Sequence, residues 1–260
     1  MRRAALLCAL ALAAPARAGL TEAELADVSA TPPPFGTRLP DLGFTDQDGR
    51  RIRWQAVSGG RPLVLLFADY RCRHLCGPGL TLTAGALHDA GLVPRRDYRL
   101  ATIGLDPREG PADARAMRDT RLKALPAEAQ GALLLTGDAR AIAAATDALG
   151  YRYAYDAASG QYAHDAVAYV FRADGGLSAT LPETGTPAPV MRAAVEAAAR
   201  GASSPAGFAA RVATLCFGLG AVHGRYGTAI VATLRAGALA MILGVGFLFL
   251  VARRRRAAAC

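Results

Sequence analysis

The hydrophobic pattern along this chain changes period several times, and each change marks an element. Leu63 to Phe67 is an apolar block without polar alternation, as expected of a strand covered on both faces. From about His74 to Ala90 the apolar residues Leu75, Leu80, Leu82, Ala86 and Leu87 fall at helical spacing. Tyr98 to Leu105 reads as the next strand, ended by Asp106-Pro107, and Pro111 opens a helix to about Leu122. Leu133 to Leu135 is a short buried strand, and Asp138 caps a helix to about Leu149 that Gly150 closes. Tyr151 to Tyr155 and Tyr162 to Phe171 supply two more strands. Asp174-Gly175-Gly176 turns into a strand at Leu177 to Leu181, and Val190 to Ala199 completes the set as a helix. Upstream, Gly43 to Trp54 forms a hairpin about Asp48-Gly49, preceded by an extended stretch containing Thr31-Pro32-Pro33-Pro34.

Helices that separate buried strands, followed by a late hairpin, give an α/β class with a mixed central sheet. A strand, a cysteine motif at the start of the following helix and a terminal hairpin together make the pattern thioredoxin-like. The elements occupy residues 40–200, with 19–39 as an extended lead-in and 201–229 as a linker and juxtamembrane segment.

The two ends have a different character. Residues 1–18 show Met1-Arg2-Arg3, an apolar stretch from Ala4 to Ala14 and the small-residue site Ala16-Arg17-Ala18, the parts of a signal peptide. Residues 230–252 are almost wholly apolar, with Arg235 the one charge, and match a bilayer's thickness as a helix. Arg253 to Arg256 follow within the tail 253–260, which by the positive-inside rule keeps the C-terminus cytoplasmic. Together these features predict an exported domain held by a single C-terminal transmembrane helix.

Location also explains the charge. The formal net charge is +9, but without the arginines of the leader and tail the balance is 23 basic against 21 acidic residues. A nucleic-acid binder should carry its basic patch on the folded domain, so no nucleic acid is expected as a partner.

Chemistry concentrates in PLVLLFADYRCRHLCGPGL, where Cys72 and Cys76 stand four positions apart. With Cys8 lost in the leader, the exported side keeps this pair and Cys216, while Cys260 ends the chain across the membrane. In an oxidising compartment such a pair is a disulfide, a redox couple or a metal site. On one regular helix the β-carbons would lie about 5–6 Å apart, wider than the roughly 3.5–4.5 Å of a disulfide, so closure requires local unwinding. Two thiolates favour Cu(I), zinc or an iron–sulfur cluster and need a further ligand. His74 would point away from the cysteines on such a helix, His88 reads as a solvated or capping residue, and His223 precedes the membrane span. His164 differs, because it begins the predicted strand Asp165 to Phe171. Spacing alone leaves it balanced between a ligand and a packed histidine.

The segments FTDQDGRRIRW, LVLLFADYRCRHLC, IGLDPRE, LLLTGD and YAHDAVAYVFRADGGLSATL resemble, in that order, the Sco/SenC family of copper-binding proteins, over roughly residues 40–200. LCFGLGAVHGRYG and the terminal apolar span resemble a subgroup with a C-terminal anchor. The resemblance implies a thioredoxin fold and a copper site made of Cys72, Cys76 and His164. It further implies delivery of copper to the dinuclear centre in the copper-binding subunit of cytochrome c oxidase, or reduction of that centre's thiols by the cysteine pair. Asp106 and Asp165 are the carboxylates placed to tune the ligands from outside, but they read rather as ordinary turn or strand-end residues. The implied location is the bacterial inner membrane with the domain on the periplasmic side. In this chain Gly77 stands between the second cysteine and Pro78, where family members have proline directly, and Cys216 and His223 read as juxtamembrane residues rather than a second metal site.

Overall fold

A computed structural model of the chain describes residues 30–72 and 76–203, with a few isolated positions outside those ranges. The predicted signal segment lies outside the described residues, as does nearly all of the predicted span at 230–252. Among the described residues no helix is long and apolar enough to cross a membrane.

The elements run β1 (Gly43–Thr45), β2 (Arg51–Arg53), α1 (Trp54–Val57), β3 (Leu63–Ala68), α2 (Cys76–Asp89), β4 (Arg99–Gly104) and α3 (Pro111–Arg121). They continue with α4 (Pro126–Gly131), β5 (Leu133–Leu135), α5 (Ala139–Ala148), β6 (Tyr153–Asp156), β7 (Gln161–His164), β8 (Val167–Phe171), β9 (Leu177–Pro182) and α6 (Ala188–Ala199). A five-stranded sheet has the order β5-β4-β3-β8-β9. The β3–β4 and β4–β5 pairs are parallel, and β3–β8 and β8–β9 are antiparallel. The fold is therefore α/β with a mixed central sheet, as the pattern predicts.

The absence of alternation in β3 has a direct cause. Val64, Leu66 and Ala68 enter a core with Leu80 and Leu87 of α2, Met117 of α3 and Met191 and Val195 of α6. Leu63, Leu65 and Phe67 enter the opposite core with Trp54 of α1 and Ile142 of α5. Strand side chains alternate between faces, so a strand with two apolar faces must be apolar throughout. Each fully buried side chain of this kind contributes about 1.5–3 kcal/mol, which fixes the β3 end from which the cysteine motif departs.

Local signals set several boundaries. Asp138 accepts a hydrogen bond from Ala141 N at 2.7 Å and so caps α5, and Gly150 takes the left-handed conformation (φ 59°) that ends it. The β1–β2 turn closes on Asp46, whose Oδ1 accepts from the backbone N–H groups of Asp48 and Arg50. The hairpin docks on the end of β5 through reciprocal Thr45–Thr136 backbone bonds of 2.8 Å.

Two expectations are corrected. The single strand read from Tyr162 to Phe171 is two strands, because β7 pairs with β6 and β8 with β9, and the chain passes from one ladder to the other at Asp165, Ala166 already following the β8–β9 register. The Asp165 carbonyl accepts from the Tyr151 hydroxyl and the Ala166 carbonyl accepts from Glu183 N. His164 therefore ends β7 in a separate ribbon with β6, and does not begin a buried strand. The second correction is α4, which has no counterpart in the sequence reading. Pro126 opens it, and its buried Glu128 meets the Nδ1 of His88 at 3.0 Å, while His88 itself is solvent-exposed in the last turn of α2, as the sequence predicts.

Candidate metal centre

The cysteine motif begins where β3 ends. Cys72 lies in a turn before the helix, its N–H donating to the Asp69 carbonyl at 3.1 Å. Its side chain is half-buried and packs against the core shared by α2 and α6. Cys76 is the first residue of α2, and its side chain lies outside the described residues, as does His74. The two cysteines therefore do not share one regular helix, and the β-carbon separation inferred from a continuous helix does not apply.

Side chains crowd the first turn of α2: a β-carbon on Gly77 would meet the Arg121 side chain, and one on Gly79 would meet the carboxyl of Glu183. Glycine in place of the expected proline at position 77 thus makes room for an arginine side chain. Glu183 is buried, and that burial above all, with the Asp165 charge nearby, pushes its carboxyl well up from the ordinary range.

His164 is oriented from the core. Its Nδ1 lies 2.7 Å from the Tyr151 hydroxyl oxygen and 2.9 Å from the Asp165 carbonyl, and the Tyr151 hydroxyl itself lies 2.7 Å from that carbonyl. A carbonyl only accepts, so the Tyr151 hydroxyl donates to Asp165, and the proton sits on Nδ1, shared between that carbonyl and the Tyr151 oxygen. That assignment, made from the network, places the ring's lone pair on Nε2. Tyr151 is 2% exposed and its ring lies 4.5 Å from that of Phe67 on β3. The imidazole's orientation is in this way tied to the central sheet.

The two parts of the motif meet at Asp69, a residue the sequence reading passes over. Its Oδ1 accepts from Arg71 N at 2.9 Å and its Oδ2 from Tyr162 N on β7 at 3.0 Å. Glu109, on the turn after β4, accepts from the same Arg71 N at 3.0 Å. Burial first, and then the Asp69 carboxylate beside it, push Glu109 up to about 9, so it holds a proton at neutral pH. The available signal was an acid set within an apolar run, LLFADY, which hydrophobic periodicity counts merely as an interruption.

Asp106 and Asp165 have partners of the kind expected of turn and strand-end residues. Asp106 receives Nε and Nη2 of Arg108, whose guanidinium lies 5.2 Å from the Tyr155 ring centroid. Burial raises the Asp106 carboxyl, but the Arg108 hydrogen bonds outweigh it and the net shift is downward. Asp165 accepts from the backbone N–H groups of Ala30 and Ala166. Both aspartates organise backbone corners. Among the described residues no three His, Cys, Asp or Glu side chains converge as metal ligands, a set that lacks the Cys76 side chain.

Comparison with known proteins bears on the whole domain. A family model described as SCO1/SenC matches residues 38–199. Among solved structures, a SCO1/SenC family lipoprotein from Bacillus anthracis superposes with a TM-score of 0.52 at 17% identity, covering 65% of this chain and 98% of that one. BsSco, described as a member of the Sco family of cytochrome c oxidase assembly proteins and studied for a disulfide switch, gives 0.52 at 18%, covering 65% and 96%. Arabidopsis thaliana ScoI, solved with copper bound, gives 0.51 at 16%, covering 63% and 98%. At these identities the superpositions speak to fold. No curated protein matches the chain.

Proposed function

The chain belongs to the SCO1/SenC family, and from that premise we propose that it is a membrane-anchored copper chaperone. Copper is its cargo, held by Cys72, Cys76 and His164 and passed to the copper-binding subunit of cytochrome c oxidase during assembly. Two thiolates and an imidazole form a soft, low-coordinate donor set suited to Cu(I), and the borderline imidazole extends it to Cu(II). A carrier must release what it binds, and three ligands leave a coordination position through which an acceptor's thiol can enter.

The observation that carries this reading is the Asp69 junction, which links the cysteine turn to the strand ending in His164 across a large sequence separation. The bound copper of the Arabidopsis relative supports the choice of metal. The leader at 1–18 and the apolar stretch at 230–252 with its arginine tail support a periplasmic domain anchored in a bacterial inner membrane.

A second reading, thiol–disulfide exchange on oxidase thiols, is favoured by the disulfide switch of the relative BsSco and by the position of Cys76 at a helix start, where negative charge is stabilised. The test is Cu(I) titration of the reduced full chain in detergent, with and without His164→Ala. Copper chaperoning predicts roughly one Cu(I) per chain and a large loss of affinity in the variant. Wild-type affinity in His164→Ala would sink the three-ligand site. In cells lacking the protein, recovery of oxidase activity with added copper supports delivery, whereas recovery only with added reductant supports thiol exchange.

A further inference from the structure

We infer that Asp69 is a positioning residue that holds the cysteine-bearing turn against the histidine-bearing ribbon and so sets where His164 stands relative to the thiols. The inference rests on the copper reading above.

The ribbon is the part that needs holding. The β6–β7 pair forms its own two-stranded sheet and takes no place in the five-stranded one, and an isolated hairpin is marginal in water. Tyr153 and Tyr162 of the ribbon pack against the core, and its described polar ties to the body include, in order, the Tyr151 hydroxyl at His164 and Asp165, the Arg108 guanidinium over Tyr155, and the Asp69 carboxylate at Tyr162 N. The first fixes the imidazole's rotation and the second is an exposed contact. The third alone of these joins the ribbon to the turn that carries Cys72.

The bonding around Asp69 suits that role. One residue supplies three acceptors: its carbonyl to Cys72 N, Oδ1 to Arg71 N and Oδ2 to Tyr162 N. Tyr162 is two residues before His164, and Asp69 is three before Cys72, so the junction is short on both sides. Asp69 is 3% exposed, and a buried carboxylate accepting backbone N–H groups makes strong, geometrically narrow bonds. Asparagine in its place has one acceptor oxygen and an amide that can only donate, so it cannot receive both N–H groups.

The experiment is Cu(I) affinity by competition with a chromophoric chelator, on the full chain in detergent, for wild type, Asp69→Asn, His164→Ala and the double variant. Asp69→Asn is expected to weaken Cu(I) binding about tenfold, the effect typical of losing a group that orients a metal ligand. The double variant should bind no more weakly than His164→Ala alone, because without the imidazole the tether has nothing to position. The Cu(II) thiolate absorption of Asp69→Asn should shift toward that of His164→Ala, which a general loss of stability would not produce. If Asp69→Asn cannot be purified folded, Tyr162→Pro deletes the same bond from its donor side and is held to the same outcomes. Unchanged affinity in Asp69→Asn beside a weakened His164→Ala overturns this inference and leaves the copper site standing. So does full additivity of the two substitutions, which would assign Asp69 to the fold at large. Wild-type affinity in His164→Ala overturns the copper site itself, and this inference with it.

Discussion

The turn carrying Cys72 is held through its backbone, the Arg71 N–H donating to the Asp69 and Glu109 carboxyl groups and the Cys72 N–H to the Asp69 carbonyl, whereas His164 is held through its own ring nitrogen by a tyrosine hydroxyl and a carbonyl. The first arrangement fixes a loop and leaves side-chain orientation to the loop's path. The second fixes a side chain directly and borrows its rigidity from Tyr151, which packs between Phe67 and Tyr169 in the core. One consequence is that substitutions on the two sides should fail in different ways: cysteine-side changes in the ligand count, histidine-side changes in orientation.

The sharpest break comes from the cysteine side. Cys72→Ser should take Cu(I) binding from roughly one per chain to roughly none, since a hydroxyl is a poor ligand for this soft ion. Its thermal midpoint in the metal-free state should stay near wild type, because Cys72 only borders the core. Equilibrium dialysis with a parallel melt reads both. Tight binding retained by the serine variant would remove Cys72 from the ligand set.

Tyr151→Phe is next and isolates orientation. It keeps the ring against Phe67 and removes only the hydroxyl, so the cost to stability should be about 1 kcal/mol. Copper affinity should drop by about 10–100-fold, as when a ligand loses its outer hydrogen-bond partner. Should affinity be unchanged while stability falls, the tyrosine supports the ribbon and does not orient the histidine.

The smallest effect tests the carboxyl beside the cysteine turn. Glu109 is raised by burial and by Asp69 to about 9, so the folded chain keeps a proton that the unfolded chain releases. Its contribution to stability is thus fully present below the ordinary glutamate range and declines as pH rises through about 9. Buried Glu183 is raised too and adds to the slope in the same direction. Denaturation midpoints of the metal-free protein should therefore decline from about pH 5 to about pH 9, and Glu109→Gln should flatten part of that decline. An identical slope in the glutamine variant would assign the whole effect to other groups.

Much of the scaffold was legible because its signals are local. The predicted strand at Leu133 to Leu135 matches β5, and the Asp138 cap and Gly150 stop stand where the sequence reading has them. The uniform apolar run of β3 correctly implied two covered faces. Reading failed for two reasons: the Tyr151 hydroxyl takes the Asp165 carbonyl where the chain leaves the β6–β7 ribbon, and α4 forms on so few residues that no period is visible. In the candidate centre, the cysteines and histidine stood out by residue type and by resemblance, whereas Asp69, Tyr151 and Glu109 carried no such mark.

The sequence by itself determined the order of elements, the two apolar faces of β3 and the residue types able to bind a soft metal, because each depends on side-chain chemistry and on neighbours within a few positions. Only the tertiary structure decided that Asp69 joins Tyr162 across 93 residues, that Tyr151 orients His164, and that Cys72 precedes the helix Cys76 begins. Those contacts arise from how the sheet brings remote segments together, and no local periodicity encodes a hydrogen bond between residues so far apart in the chain.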